Sequence, residues 1–444
     1  LLGITVRRDG SSRFGQEKQF ATFPSVSAGW RLSSENFMKD IPWIQDLKIR
    51  ASWGTNGNQE IQNGAIYTLY DTLYGATSNP TWSNYNGTSY DIAGANTGSL
   101  ASGYRRTQQG NTILRWEQSE QWDAGFDWTF FDYKFYGSFD YFFKNTTDIL
   151  IKPTVMAAAG EGASRYENGA SMENHGFELL VGTRGSAGDF KYDVSANFSN
   201  YRNKVTYLPS SVLASYGGNG TTETILGRPL NSYFGYTESG LYKTQADLDA
   251  GADHPGKGLG RIRWDDNDGD GDIDLDDRVW FGSPVPLFSY GLNVALSYKG
   301  WDFSMFWEGK AGWMALTPTK SQTDFYAVAA EGTNRGVRIL DAWTPENFDS
   351  DIPAIAYSND NDEGRTSTYL YEDHSFAKLR NLQIGYTFDF PAIKKLGVDK
   401  FRLYVTGQNL AIIKSRNFSG VDPEQTSYSY PNPITFIGGL QLTF

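Results

Sequence analysis

The strongest constraint on the fold is a period-two pattern. In FSYGLNVALSYKGWDFSMFWEGK, residues 288–310, Phe288, Tyr290, Leu292, Val294, Leu296 and Tyr298 share one parity, and Ser289, Gly291, Asn293, Ala295, Ser297 and Lys299 fill the other. After Lys299-Gly300, Trp301, Phe303, Met305 and Trp307 resume the apolar face opposite Asp302, Ser304 and Glu308, with Phe306 as the exception. Successive side chains of a strand point to opposite faces, so this alternation predicts two strands with one apolar face. A two-residue link ending in Gly predicts a tight hairpin between them.

The pattern recurs along the chain. Trp122, Ala124, Phe126, Trp128 and Phe130 share a face, and Tyr133, Phe135, Phe139, Tyr141 and Phe143 return beside them. GFELLVGT and DFKYDVSANFSN are joined by Gly185-Ser-Ala-Gly188. Leu382, Ile384, Tyr386, Phe388 and Phe390 alternate, as do Phe401, Leu403 and Val405. Short links near 131–133, 185–188 and 299–300 alternate with long ones near 55–118, 145–173, 201–287, 311–375 and 411–433. A half-buried soluble sheet also alternates, but turns short on one side and long on the other are the mark of an outer-membrane β-barrel. The end of the chain, ITFIGGLQLTF, places Ile434, Phe436, Leu440, Leu442 and Phe444 in register on an apolar face, as a closing barrel strand would. The expected order is about twelve antiparallel strands: 1–8, 20–32, 46–54, 119–130, 133–144, 174–184, 189–200, 288–298, 301–310, 376–390, 400–410 and the last. All long links then lie outside the cell.

Composition narrows the function classes. Lys and Arg number 39 and Asp and Glu 51, a net charge of −12, which argues against a nucleic-acid partner. There is no cysteine, which excludes disulfides and thiolate metal sites. The three histidines, His175, His254 and His374, follow no ligand-like spacing, and no G-x-S-x-G elbow supports a nucleophilic triad. No apolar run approaches the roughly 20 residues of a membrane helix.

One polar stretch stands apart. WDDNDGDGDIDLDDR, Trp264 to Arg278, holds eight aspartates in fifteen residues. Numbered from Asp266, it places Asp266, Asp268 and Asp270 at positions 1, 3 and 5 of an EF-type loop, and Gly271 at the sharp turn. Asp272 falls at the carbonyl position, Ile273 at the apolar anchor, Asp274 at position 9 and Asp277 at position 12. Position 12 is Asp rather than Glu, and RVWFGSPVP follows in place of a helix. The pattern predicts a single structural Ca²⁺ loop, with ligands Asp266, Asp268, Asp270, Asp272, Asp274 and Asp277. The plain alternative is a solvated acidic turn that keeps its shape without an ion.

An ordered set of motifs carries a family resemblance. It includes RRDGSSRFG (7–15), FPSVSAGWRLSSENFM (23–38), LKIRASWGTNGNQEI (47–61), LRWEQSEQWDAGFDWTFF (114–131), DYFFKNTTDILI (140–151) and ENHGFELLVG (173–182). It continues in GRPLNSYFGYTESGLY (227–242), the aspartate stretch, AWTPEN (342–347), FAKLRNLQIGYTF (376–388) and LYVTGQNL (403–410). Together these resemble the barrel half of SusC/RagA-like TonB-dependent transporters of Bacteroidota outer membranes. The resemblance implies an all-β transmembrane barrel of 22 strands plugged by an N-terminal domain. Residues 1–444 would be its C-terminal part of about twelve strands, and the plug and TonB-binding segment would precede Leu1. It further implies a SusD-like surface lipoprotein as partner, TonB as the energy source through the upstream region, outer-membrane lipid around the wall, and a glycan or peptide as cargo.

Three function classes are compatible with these features. The first is energy-coupled import of a bulky nutrient, without chemistry on it. The second is a non-transporting barrel that scaffolds surface lipoproteins. The third, an enzyme using loop carboxylates such as Glu331, Asp341, Asp360, Asp362 and Glu363, has only solvated charges to support it, and no catalytic residue is expected. Loop aromatics that could stack on sugar rings, pack loops or meet a lipoprotein are Trp82, Tyr85, Tyr90, Tyr104, Tyr216, Trp313, Tyr326, Trp343, Tyr428 and Tyr430.

Overall fold

Hydrogen-bond ladders between sequence neighbours build the whole wall. The computed structural model describes residues 1–72, 104–153, 165–213, 224–324, 336–356, 363–389, 391, 397–427 and 429–444. Twelve antiparallel strands form one sheet in sequence order. They are β1 (Leu2–Gly10), β2 (Phe20–Arg31), β3 (Ile44–Asn58), β4 (Glu117–Phe130), β5 (Phe135–Ile151) and β6 (Glu167–Ala187). The others are β7 (Phe190–Tyr207), β8 (Phe288–Tyr298), β9 (Trp301–Ala311), β10 (Phe376–Phe388), β11 (Lys400–Lys414) and β12 (Thr435–Thr443). Each of the twelve expected strands is present. Because the order is sequential and antiparallel, links 11–19, 59–116, 152–166, 208–287, 312–375 and 415–434 all leave from one end. No helix among the described residues is long and apolar enough to cross a membrane.

Several boundaries differ from the sequence expectation. Strands β5, β6, β7 and β11 run several residues further toward the loop end, to Ile151, from Glu167, to Tyr207 and to Lys414. The apolar contrast is lost there because polar residues take both parities, as in β7, where Asn203 is buried on one side while Arg202 and Thr206 are exposed on the other. At the other end, Gly185, Ser186 and Ala187 belong to β6, and only Gly188 and Asp189 turn, since Ala187 pairs with Phe190. Tyr133 lies in a turn rather than in β5: Phe131, Asp132 and Tyr133 all have positive φ, at 53°, 57° and 65°. Left-handed backbone costs a non-glycine residue about 1–2 kcal/mol. Phe131 offsets this by stacking on Trp43 at 5.6 Å and meeting Phe135 edge-on at 5.8 Å. The Lys299-Gly300 hairpin is as expected, with φ of 45° and 87°, the twist that strand pairs favour.

Register aligns the two faces from strand to strand. Val194, Val294, Met305 and Leu382 are successive partners across β7 to β10, and Tyr192, Leu296, Phe303 and Ile384 form the next row. Phenylalanines run diagonally over the same face from β4 to β8: Phe126, Phe139, Phe177, Phe198 and Phe288, with ring centroids 5.2–6.0 Å apart. The opposite face carries ion pairs. Arg50 reaches both Asp127 at 2.9 Å and Asp140 at 2.7 Å, and Arg402 holds Asp302 at 2.8 Å. In both cases a glycine occupies the strand between the charged partners. A Cβ on Gly125 would strike the Asp140 side chain, and one on Gly385 would come within 2.7 Å of both Arg402 and Asp302. Charged groups of this kind are expelled from hydrocarbon, so the ion-paired face lines the lumen and the apolar face meets lipid.

The buried apolar clusters lie at the loop end, where the long links cover one another and the ends of the strands. One joins Leu241, Ile262, Trp264, Ile273, Tyr369 and Leu370, and a second joins Phe14, Phe23, Ile61, Ala65, Leu114 and Trp116. A third collects Ala170, Val205, Leu208 and Ile225. Wall residues such as Ile4, Trp122, Val405 and Phe436 remain exposed by contrast, as lipid contact requires.

Val294 lies midway between Tyr290 and Tyr298 on the lipid face. Replacing it with Arg is expected to destabilise the full-length barrel by about 2–4 kcal/mol, the midplane cost for a cation. Asn293→Arg, on the lumen face, is expected to cost well under half as much. Denaturant unfolding of the barrel in lipid vesicles measures both.

Candidate functional site

The loop end is a folded canopy. Three small antiparallel pairs support it: Tyr233–Gly235 with Val279–Gly282, Glu238–Leu241 with Ile262–Trp264, and Met314–Leu316 with Tyr371–Asp373. Tyr236 of link 208–287 exchanges backbone hydrogen bonds with residues of link 312–375: its N–H reaches the Thr366 carbonyl at 3.0 Å, and it accepts from Thr368 at 3.0 Å. Six residues, Gln245–Ala250, form a helix capped by Thr244 and Asp247 in a reciprocal capping box.

Buried polar groups join the loops to one another. The Tyr369 hydroxyl donates to Asp324 at 2.8 Å, and Arg338 donates to the other oxygen of that carboxylate at 3.1 Å. His374, fully buried, lies 3.1 Å from the Thr317 hydroxyl and 2.7 Å from the Pro423 carbonyl, and burial pushes its imidazole below the usual range. Link 415–434 is fastened to the wall by charge. Lys378 binds Asp422 at 2.9 Å and Glu424 at 2.5 Å, and Arg380 bridges Glu424 and Glu308. Burial opposes ionisation of Glu424, but the hydrogen bonds from Arg380 and Lys378 outweigh it and hold its carboxyl below the usual value. Sequence reasoning missed this cluster. Its only signal was two cations, Lys378 and Arg380, inside the otherwise apolar FAKLRNL.

The aspartate stretch forms a compact turn. Carboxylate oxygens of Asp266, Asp268 and Asp270 all lie within 4.8 Å of one another. A second trio within the same limit is Asp268, Asp274 and Asp276, so Asp276 enters a cluster from which its spacing had excluded it. The carboxylate of Asp266 accepts from Gly269 and from Gly271 at 3.0 Å. Asp268 accepts the Asp270 N–H, which favours its ionised form. Desolvation and the charges of Asp270, Asp277 and Asp266 outweigh that bond and raise its carboxyl above the usual value. Asp277 is fully buried, and its two oxygens accept backbone N–H groups of Asn267 and Asp274, both at 2.7 Å. It therefore braces the two halves of the turn. Ile273, at the apolar anchor position, is buried in the loop core, and its N–H reaches the Asp253 carbonyl at 2.8 Å. Asp253 thus holds the turn through a parallel bridge. Asp272 forms the matching bridge position.

The remaining candidate residues divide between packing and solvent. Trp313 packs on His374 at 5.2 Å, Trp343 lies against the loop core, and Tyr430 is 97% exposed. Tyr104 opens a short strand, Tyr104–Gln108. Glu363 is buried, bound to Arg261 at 3.2 Å and to the Ile262 N–H, and burial raises its carboxyl despite Arg261. Asp341 is exposed. Trp82, Tyr85, Tyr90, Tyr216, Tyr326, Tyr428, Glu331, Asp360 and Asp362 lie outside the described residues, as does Phe390.

A family model described as TonB dependent receptor-like, beta-barrel, matches residues 1–410. TonB-dependent receptor P3 of Formosa agariphila is 32% identical over all of this chain, which covers 44% of that protein. TonB-dependent receptor SusC of Bacteroides thetaiotaomicron is 29% identical over all of this chain and 42% of its own length. A chain of the RagAB peptide transporter superposes with a TM-score of 0.79 at 24% identity, covering 100% of this chain and 45% of that one. At that identity the superposition speaks for the fold. The chain spans less than half the length of the curated relatives it matches.

Proposed function

The chain belongs to the TonB dependent receptor-like β-barrel family of the outer membrane, and from that premise we propose that it forms part of the wall and mouth of an importer for bulky nutrients, oligosaccharides or peptides. The family is one of transporters rather than enzymes. The single observation that carries the proposal is the division of the wall: one face apolar across the span that meets lipid, the other lined with charge pairs and crowned by a canopy packed from several loops. A polar lumen passes hydrated solutes, and a canopy of stable loops offers a broad surface at the entrance. Among the described residues β1 and β12 do not pair with each other. Open edges are excluded from hydrocarbon, so further strands of the full-length protein are proposed to close the barrel. An upstream plug would couple to TonB, and a SusD-like surface lipoprotein would sit on the canopy.

Deleting the gene for the full-length protein is expected to abolish uptake of one oligosaccharide or peptide class, with uptake restored by the intact gene. Unchanged uptake on every such source, together with loss of lipoproteins from the surface, would establish the scaffold role instead.

We also infer that the aspartate turn binds Ca²⁺ in a structural role. Three carboxylates within reach of one hard cation, on a turn braced by Asp277 and anchored by Ile273, support this. Affinity of about 10⁻⁴–10⁻³ M would suffice outside the cell. Hydrogen exchange over 262–282 is expected to slow at least tenfold in millimolar calcium relative to chelator. Equal exchange in both contradicts the inference.

A further inference from the structure

On the lipid face, polarity changes abruptly at one level. Along β7 the outward residues are Tyr192, Val194, Ala196 and Phe198, followed by Asn200, Arg202 and Lys204. Strand β6 changes in step: Val181, Leu179 and Phe177 give way to His175 and Glu173, which pair with Arg202 and Lys204. The ten residue steps from Tyr192 to Arg202 extend about 34 Å along the strand at about 3.4 Å each. With the usual tilt this is about 26 Å of height, one apolar band. Arg202 and Lys204 therefore stand at the headgroup level of the outer leaflet.

A cavity of about 580 Å³ opens at this place, with Arg202, Lys204, Arg228, His175 and Trp280 among its lining. The loop forms it by pairing with β7 higher up: Gly227 donates to the Val205 carbonyl at 2.7 Å, and Val205 donates to the Arg228 carbonyl at 2.8 Å. The wall is thus bridged above the cavity, while β8 begins below it at Phe288. Arg228 lies over the Trp280 ring at 5.8 Å and donates from Nε to the Thr224 carbonyl. Lys204 pairs with Glu173 at 2.8 Å. Arg202 is exposed and has no ion-pair partner among the described residues. Arg202 and Lys204 therefore set two cations against one carboxylate in an acidic chain, at the height where lipid headgroups lie. At the same level β4 and β5 offer Glu120 and Asn145, so the positive charge is local.

We propose that this cavity binds a phosphate-bearing headgroup of an outer-leaflet glycolipid. The guanidinium fork of Arg202 matches phosphate geometry, and Lys204 adds a point charge. Basic pockets beside a membrane wall select anionic headgroups in this way. The proposal rests on the orientation of the wall and is independent of what the barrel imports.

The test uses full-length protein in detergent micelles, with native mass spectrometry to count bound lipid. The probes are a monophosphorylated diglucosamine glycolipid and the same lipid after phosphatase treatment. Wild type is expected to retain the phosphorylated lipid at least tenfold more than the treated one. The double substitution Arg202→Gln, Lys204→Gln is expected to remove that preference, and Arg202→Lys alone to keep most of it. Retention of heat-modifiable migration on gels establishes that the variants are folded. Equal binding of both lipids, or an undiminished preference in the folded double variant, would overturn the proposal. Inorganic phosphate at the lipid's own concentration distinguishes the source: failure to displace the lipid supports a headgroup site, and displacement assigns the cavity to a soluble phosphate instead.

Discussion

A polypeptide in hydrocarbon has no water to satisfy its amide groups, so every N–H and C=O in the wall must find a neighbouring strand. That requirement governs both topology and register. It makes each strand pair with the next in sequence, and it makes a one-residue slip intolerable, because a slip would carry Arg50 or Arg402 to the lipid side. The two glycine-spaced ion pairs, Arg50–Asp140 over Gly125 and Asp302–Arg402 over Gly385, reinforce the register from within. Each ties together three strands, and each depends on a missing Cβ on the middle strand.

The wall was legible in the sequence because lipid demands a high contrast between faces. Phe288 to Trp307 shows this most clearly, and the register of β8 with β9 pairs Leu292 with Trp307 and Val294 with Met305. Legibility failed wherever the contrast was absent. The extension of β7 to Tyr207 carries polar residues on both sides, buried Asn203 on one and exposed Arg202 and Thr206 on the other, and the turn at Phe131–Tyr133 hides left-handed backbone under aromatic residues that read as strand. The aspartate spacing anticipated the grouping of Asp266, Asp268 and Asp270, but not that the Asp277 carboxylate accepts backbone N–H groups inside the turn. The Lys378–Asp422–Glu424–Arg380 cluster was invisible for a different reason. Its partners are more than forty residues apart, and no local pattern marks them.

The usual placement of a protein core is inverted here. Wall side chains face lipid, so packing in the ordinary sense is concentrated in the canopy, where Trp264, Ile273 and Tyr369 are buried. The canopy therefore behaves as a small soluble domain assembled from separate links and anchored on β10 and β11. Its charged fastenings, on Lys378 and Arg380, hold link 415–434 against the wall and so set the shape of the mouth. Function at this end depends on loops that are folded in themselves, which is what a surface that receives a large ligand or a protein partner requires.

The proposed import through a polar lumen depends above all on which face of the wall meets lipid. These 444 residues contain no cysteine, so once any cysteine elsewhere in the full-length protein is replaced, single cysteines at 290, 292, 293, 294, 295 and 296 can carry a spin label in vesicles. Oxygen collisions report lipid contact, and a water-soluble nickel chelate reports the lumen. Oxygen exposure is expected at 290, 292, 294 and 296, and chelate exposure at 293 and 295. Alternation with the opposite phase, or no alternation at all, would contradict this orientation of the wall.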